Sequence, residues 1–423
     1  MARVLQITPH AVFPPTGGRR AFFFLREMAR EHELFAILPQ TGDSVKGMRM
    51  GYTFPQNVRL FSPLVTPPPK TIFNWLPRRL AMGLRYRWLR RSLQGPAQAV
   101  LLDNYHLIQQ VLRQQHIDVV VIDHIYSLPL AACIRRLSPE STVVFHAHNV
   151  DSDLLTQLIR SASSDARRRD LDNERRMCLR LESSLARYAD TFWACSDLDK
   201  RKLEEMNVGA VEGYAIPNGV DTTLLSMDSG EGKRLRKKLI FCGHMKFAPN
   251  VNGLKWFANE VWPLVLQREP SVRMMVIGLG GIPSELTKWQ EDDRVEFRGE
   301  VESVIPHYHE ASVAVVPLLE GSGVREKILE AMSLGNPVVS TTKGAEGMNY
   351  EAGRHLVIAD RPVDFADAVC RLLKEAPFFE NTRQAARRWV VEKYEWTSIG
   401  HEINRLVDCL ARRGACSCGR SGT

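Results

Sequence analysis

Between residues 320 and 341 the chain reads EGSGVREKILEAMSLGNPVVST. Gly321 and Gly323 flank Ser322, so the backbone there can come close to a ligand. The helical pattern that follows presents unpaired N–H groups and a positive dipole end to this turn, which makes a site for an anion. Arg325 and Lys327 add cationic reach toward a phosphate. Glu330, about two turns into the helix, can accept two hydrogen bonds from a vicinal diol such as that of ribose. Val324, Ile328 and Ala331 fit a buried stripe. Gly335 stops the helix and Pro337 prevents its continuation. The same residues also suit an ordinary strand–turn–helix unit with a surface Lys327–Glu330 pair, worth only a few tenths of a kcal/mol.

Other residues invite the same two-sided reading. His148 closes the strand-like run TVVFHAHN with Asn149 beside it, at the strand end where open sheets bind ligands; His146 shares its parity and is the second choice. Gly17 and Gly18 lie in the loop after the first strand, where they also suit a turn after Pro14 and Pro15. Three Asp-x-Asp triplets occur, Asp151/Asp153, Asp170/Asp172 and Asp197/Asp199. Such a triplet can hold a divalent metal, but each lies near a helix start or inside a charged helix, where capping and dipole effects account for aspartate. VIGLGG (Gly278, Gly280, Gly281) has the look of a dinucleotide fingerprint, yet Pro283 holds the third glycine's place and no acidic residue follows the strand LFAILPQ, which argues against a redox enzyme. A Gly-x-Ser-x-Gly elbow, a Walker loop and zinc-ligand spacing are absent from the sequence.

The elements that must position these groups alternate along the chain. RVLQIT, the helix GRRAFFFLREMAREH, LFAILP, DVVVIDH, TVVFHAHN, an arginine-rich helix over about 165–188 and TFWACS form one set. LIFCG, a helix near LKWFANEVWPLVL, VRMMVIG, VEFRG, VAVVPLL, the helix of the 320–341 stretch, PVVST and HLVIA form a second. This alternation implies two doubly wound parallel-sheet halves, separated by the polar break MDSGEGKRLRKK at 227–238. Two such halves facing each other would hold a ligand in the cleft between them.

A chain of 423 residues is too long for one core. No apolar run approaches the ~20 residues that span a bilayer, and MARVLQITPH reads as a first strand rather than a signal peptide, so a cytoplasmic protein is expected. The eight cysteines sit mostly singly in apolar segments, as reduced core thiols do; Cys416 and Cys418 suit a frayed tail. The net charge of +8 is uneven: residues 70–91, KTIFNWLPRRLAMGLRYRWLRR, carry seven basic and no acidic residues among four large aromatics. That segment suits an anionic membrane surface or a basic helix over the core, ahead of nucleic acid.

GSGVREKILEAMSLGNPVVST resembles the donor-site signature of the retaining glycosyltransferases of family four (glycosyl transferases group 1), which have the GT-B architecture. FCGHMKFAPNVNGLKWF, VRMMVIGLGG, VEFRGEV and VAVVPLLEGSG follow in that family's order; PPTGGRRAFFFLREMA, FHAHNVDSD and IPNGVD are similar to stretches of its first domain, and the likeness is closest to bacterial exopolysaccharide sugar transferases. The resemblance implies two Rossmann-like domains facing across a cleft, metal-independent transfer without a cofactor, and a nucleotide-diphosphate sugar as donor. It places Gly17 and Gly18 beside the donor diphosphate and sugar, His148 at the sugar or the transferring centre, and Glu330 on the ribose. Gly243, His244, Gly321, Ser322, Gly323 and Val324 fall on donor-binding positions. Of the family's two glutamates, separated by seven residues, Glu330 takes the second place and Ser322 the first. His244 and Asn250 hold places where an arginine and a lysine are common, so Arg325 and Lys327 are inferred to supply that positive charge and the catalytic electrostatics.

The expected organisation is an acceptor-side domain over 1–226, a linker over 227–238, a donor domain over 239–394, and a last helix and tail over 395–423, with the first domain as one packing option for that helix. The expected function is transfer of a sugar, with retention, to a glycan or lipid-linked acceptor in exopolysaccharide or cell-envelope glycan synthesis. The membrane-suited segment at 70–91 adds a peripheral place on the inner leaflet, and no nucleic-acid partner is expected. The competing readings are a nucleotide-sugar epimerase of the same architecture and a non-catalytic nucleotide-sugar-binding scaffold.

Overall fold

The computed structural model describes residues 1–9, 19–38, 55–61, 105–162, 164–228, 236–321 and 323–415. Gly17, Gly18, Ser322, the segment 70–91 and most of the polar break at 227–238 lie outside the described residues. The chain divides into two compact units, Met1–Ile216 with Gly400–Thr423, and Pro217–Ile399.

The first unit is built on seven parallel strands in the order β3-β2-β1-β4-β5-β6-β7. These are β1 Arg3–Ile7, β2 Glu33–Ile37, β3 Val58–Phe61, β4 Val119–Asp123, β5 Thr142–His146, β6 Thr191–Ala194 and β7 Glu212–Ala215. β1, β2, β4, β5 and β6 coincide with the apolar runs of the sequence. Strands buried on both faces lose the in–out alternation and read as continuous Val/Ile/Phe runs, as VVVID does with all five residues buried. β3 and β7 stand at the sheet edges with exposed positions, which is why their sequences carry less of that signal.

The second unit has six parallel strands in the order β10-β9-β8-β11-β12-β13. They are β8 Lys238–Cys242, β9 Arg273–Ile277, β10 Val295–Gly299, β11 Val313–Val316, β12 Val338–Ser340 and β13 Val357–Ile358. The helical run expected near LKWFANEVWPLVL is one rod in three pieces: an α-helix Ala248–Trp256, a π-helical turn Phe257–Val261 and an α-helix Trp262–Arg268. Pro263 lacks the N–H that would continue the regular ladder, and the wider turn absorbs the defect.

In both sheets the chain reverses direction of travel between the first and fourth strands, β1/β4 and β8/β11. Ligands of open parallel sheets bind outside the carboxyl ends of the strands at such a switch point.

The stretch from Pro217 to Asp228, expected in the first domain through residue 226, is bonded into the second unit. Val220 N–H donates to the Tyr394 carbonyl, and Arg387 donates to the carbonyls of Thr222 and Leu225. The helix Trp396–Ala415 begins in the second unit and passes into the first from Gly400. There Asn404 donates to the Glu27 carbonyl, and the Leu410 carbonyl accepts from Thr142.

Candidate active site

At the β8/β11 switch of the second unit, the 317–325 turn leads into the helix Glu326–Ser333. Gly321 and Gly323 have φ of 117° and 75°, a region that residues with a Cβ rarely occupy. The chain stays extended through Arg325, whose φ and ψ are −83° and 101°. The helix therefore starts at Glu326, and Glu330 lies one turn into it rather than two. Val324, Ile328 and Ala331 are buried as the stripe implies; Val324 precedes the helix, and burial extends to every residue from Ile328 to Ser333. The stop is as the sequence implies. Gly335 has φ of 73°, and its N–H and that of Asn336 return to the Met332 and Ala331 carbonyls. Asn336 then donates its side-chain amide to the Tyr308 and Ala311 carbonyls.

The two cations of this stretch have different settings. Arg325 folds back over the turn, donating to the Gly323 carbonyl at 3.1 Å, and a Cβ on Gly321 would stand 2.5 Å from its guanidinium. Lys327 reaches away toward β8. Its Nζ lies 2.7 Å from Asn250 Oδ1 and 4.2 Å from the centre of the Phe241 ring. Burial pulls its pKa down to about 7; Arg325 adds to that, and Cys242 and Glu330 oppose it. Gly243 leaves room for this ammonium, since a Cβ there would come within 2.8 Å of Lys327 Nζ and of Asn250. The Asn250 amide in turn donates to the His244 carbonyl. His244 is exposed, with its Nδ1 accepting from Lys246 N–H. Val324 is tied to IPNGVD, its carbonyl accepting from Asn218. The turn, Gly243, His244, Asn250, Lys327 and Glu330 thus gather at one switch point. The surface Lys327–Glu330 pair is not formed: Lys327 turns to Asn250, and Glu330 is buried.

A second group sits at the carboxyl ends of β4 and β5 in the first unit. Asp123 pairs with His146 across the two strands, and their side chains meet at 2.5 Å. Gln6 on β1 donates to the other Asp123 oxygen at 2.7 Å. Arg20, from the helix Arg19–Met28, donates through Nε to His146 Nε2 at 2.8 Å and through Nη2 to the Ile216 carbonyl. Its guanidinium also lies over the Phe24 ring at 4.5 Å. Asp123, His146 and Arg20 are buried, whereas the His148 side chain keeps 9% exposure and its Nε2 lies 3.5 Å from Asp123 Oδ1. His146 and His148 thus differ despite their shared parity: both His146 nitrogens are engaged, while His148 keeps slight exposure. Burial lowers both imidazoles, His146 to about 3 with help from Arg20. Asp123 is held well below the usual carboxylate range by His146 and His148, against the opposing effect of its own burial.

His124 was not foreseen. It adopts φ of 63° and ψ of 143°, a strained conformation for a residue with a side chain that costs about 1–3 kcal/mol and gathers at functional sites. Its ring stacks on His148, centroids 3.9 Å apart. The available signal was DH at the end of a buried strand, on the same edge as HAH.

The Asp-x-Asp triplets behave as helix chemistry. Asp151 and Asp153 open the helix Asp151–Ser161, and Asp153 pairs with Lys202. Asp172 is gripped by Arg175 and Arg176 within its own helix. Ser196 caps the helix Asp197–Met206 by accepting the Asp199 N–H. Among the described residues, the acid and imidazole groups near enough to share an ion are Asp123, His146 and His148. Both His146 nitrogens are engaged there, one by a guanidinium, which suits a cation poorly.

The family model described as Glycosyltransferase Family 4 matches residues 17–224, and that described as Glycosyl transferases group 1 matches residues 236–375. The chain belongs to the family-four glycosyltransferases. Relatives of this glycosyltransferase include an uncharacterized 44.6 kDa protein in the cps region of Klebsiella pneumoniae, 29% identical over 172 residues, which are 39% of this chain and 44% of that protein. Another is a phosphatidyl-myo-inositol mannosyltransferase of Mycobacterium leprae, 28% identical over 232 residues, 52% of this chain and 60% of the relative. The matches thus span about half the length of these curated relatives. Solved structures agree on the GT-B fold. Anabaena HepE with UDP and glucose superposes with a TM-score of 0.66 at 15% identity over 97% of this chain and 100% of its own. Sucrose-phosphate synthase from Thermosynechococcus elongatus gives 0.69 at 14% over 98% and 100%. Among the described residues of the glycosyltransferase, no helix is long and apolar enough to cross a membrane.

Proposed function

We propose that this glycosyltransferase takes a sugar from a nucleotide-diphosphate donor and passes it, with retention, to a glycan or lipid-linked acceptor in exopolysaccharide or cell-envelope glycan synthesis. The observation that carries the reading is the desolvated Lys327 ammonium, held by Asn250 beside the glycine-flanked turn at the switch point. A lysine whose charge is disfavoured by burial gains most from an incoming anion. With Arg325 and the N–H groups of Gly321 and Gly323, it would stabilise the negative charge that grows on the leaving diphosphate. The bond from the anomeric carbon to the phosphate oxygen breaks as the acceptor oxygen bonds on the same face. The acceptor's proton goes to that phosphate oxygen, so no covalent enzyme intermediate and no metal are needed. Glu330 would take the ribose hydroxyls and His148 the sugar. HepE, which binds UDP and glucose, and the cps-region and mannosyltransferase relatives support a nucleotide sugar and an envelope glycan without naming either for this chain. The basic aromatic segment 70–91 supports an anionic membrane surface as a partner.

The test is calorimetric titration of UDP, GDP and ADP into the wild type and Glu330→Ala. One nucleotide should bind tightly and lose about 1.5–3 kcal/mol in the variant, as for a lost charged hydrogen bond. Failure of all three to bind folded protein would remove the reading. Nuclear magnetic resonance of the product anomer tests retention, which an inverted linkage would refute.

A further inference from the structure

Arginine can only donate, so His146 Nε2, 2.8 Å from Arg20 Nε, must present its lone pair. The proton of the neutral ring is then on Nδ1 and is given to Asp123 Oδ1. Gln6 occupies Oδ2. The carboxylate is therefore fixed from two sides in a buried setting, and its Oδ1 lies 3.5 Å from His148 Nε2, a buried nitrogen with no closer hydrogen-bond partner among the described residues. An ionised carboxylate only accepts, so this neighbour favours a proton on His148 Nε2 and a lone pair on Nδ1. His124 covers one face of the His148 ring, and Cys195 Sγ donates to the His148 carbonyl at 3.1 Å, so ring and backbone are both held.

We propose that Asp123, anchored by Gln6 and by Arg20 through His146, is a positioning residue that keeps His148 in the Nε2-protonated tautomer, so that Nδ1 accepts a hydroxyl of the sugar. The inference rests on the reading of His148 as the group that meets the sugar, and it adds a specificity: the donor must carry a free hydroxyl where His148 stands. A deoxy or O-methyl donor at that position leaves Nδ1 without a proton to accept and reacts more slowly.

The first test needs no substrate. Ring nitrogen resonances of protein labelled with 15N-histidine, assigned with His146→Gln and His148→Gln and recorded at pH 8, report which nitrogen carries the proton. In the wild type, His148 should be protonated on Nε2 and His146 on Nδ1. A His148 proton on Nδ1, or comparable amounts of the two tautomers, overturns the proposal. Asp123→Asn keeps the shape but replaces one acceptor oxygen by a donor amide, and should mix the His148 tautomers. An unchanged spectrum in that variant overturns it, and if the variant does not fold, the wild-type spectrum alone decides. Zinc chloride that shifts both imidazoles stoichiometrically would make the group a metal site and also overturn it.

The second test is turnover of UDP-, GDP- and ADP-hexoses, followed as nucleotide release. Asp123→Asn should lower kcat roughly 10–100-fold, the usual effect of an outer partner, with KM nearly unchanged. A retained kcat removes the positioning role. Full turnover in His148→Gln removes the underlying reading of His148 itself, a failure that the tautomer spectrum does not produce.

Discussion

The two sheets share one strand order, yet their carboxyl edges at the switch points are built oppositely. In the first unit the charges of Arg20 and Asp123 are linked through His146 and closed off from solvent. In the second, two cations stand at a glycine-flanked turn, and one of them, Lys327, has a polar neutral partner in Asn250 rather than a carboxylate. A closed hydrogen-bond chain fixes the orientation and tautomer of whatever it touches. A buried ammonium whose hydrogen-bond partner is neutral keeps part of its desolvation cost, which a bound anion relieves. One topology thus carries one edge closed by a hydrogen-bond chain and one whose lysine has a neutral partner.

The comparison breaks first, and most heavily, at Arg20. Arg20→Met should lower stability by about 3–5 kcal/mol at pH 7, because Asp123 is left buried without its distal cation, as read by urea unfolding. The deficit should shrink at lower pH. Arg20 is one of the groups that hold His146 down to about 3, so in the wild type the unfolded chain takes up a proton below about 6.5 that the folded state refuses. Burial is the larger cause and remains, but without Arg20 the folded ring accepts that proton at a higher pH than in the wild type and so offsets Asp123.

At the other edge the opposite sign is expected. Lys327→Met should weaken nucleotide binding by about 1.5–3 kcal/mol while raising stability by on the order of 1–2 kcal/mol, seen as a higher Tm. The sign follows from the depressed pKa of Lys327. Between the ordinary lysine value and about 7 the unfolded chain holds a proton that the folded site does not favour, so the wild type is destabilised as pH falls through that window. A variant that loses both binding and stability would mean that the two edges are alike.

The smallest effect sharpens the contrast. Binding of a nucleotide-diphosphate sugar at pH 7.5 should take up part of one proton, as the anion raises the Lys327 pKa from about 7. Titrations in two buffers of different ionisation enthalpy would count it, and no uptake would mean that another group compensates the diphosphate.

Much of this was legible in the sequence, and for local reasons. Runs such as VVVID and LIFC are buried on both faces and declare themselves as parallel strands. Gly335 with Pro337 declares a helix end. Lys327 and Arg325 were singled out beside the turn, but where Lys327 reaches was not visible, because Asn250 is 77 residues away. Arg20 was not singled out within GRRAFFFL; its partner His146 is 126 residues distant, and no local pattern encodes that. The depth of Glu330 was misjudged by a turn because Arg325 is still extended and the helix starts only at Glu326, after two glycines of positive φ. His124 escaped because a strained φ has no composition.

The path of the helix Trp396–Ala415 has a consequence for how the protein is made. Glu27, near the start of the chain, is buried, and a Cβ on Gly400 would come within 2.7 Å of its carboxylate. Ile403, Asn404, Val407 and Leu410 are buried as well. Domains ordinarily fold in order as they leave the ribosome. Here residues 1–216 must wait for residues 400–415, made only after Pro217–Ile399, and until then the apolar seat of that helix stays open to a chaperone or a protease. A nascent chain stalled before Gly400 should be cut within residues 1–216 far faster than one extended past Ala415, so that synthesis of this helix, rather than of the strands it joins, sets when the first unit becomes safe from degradation.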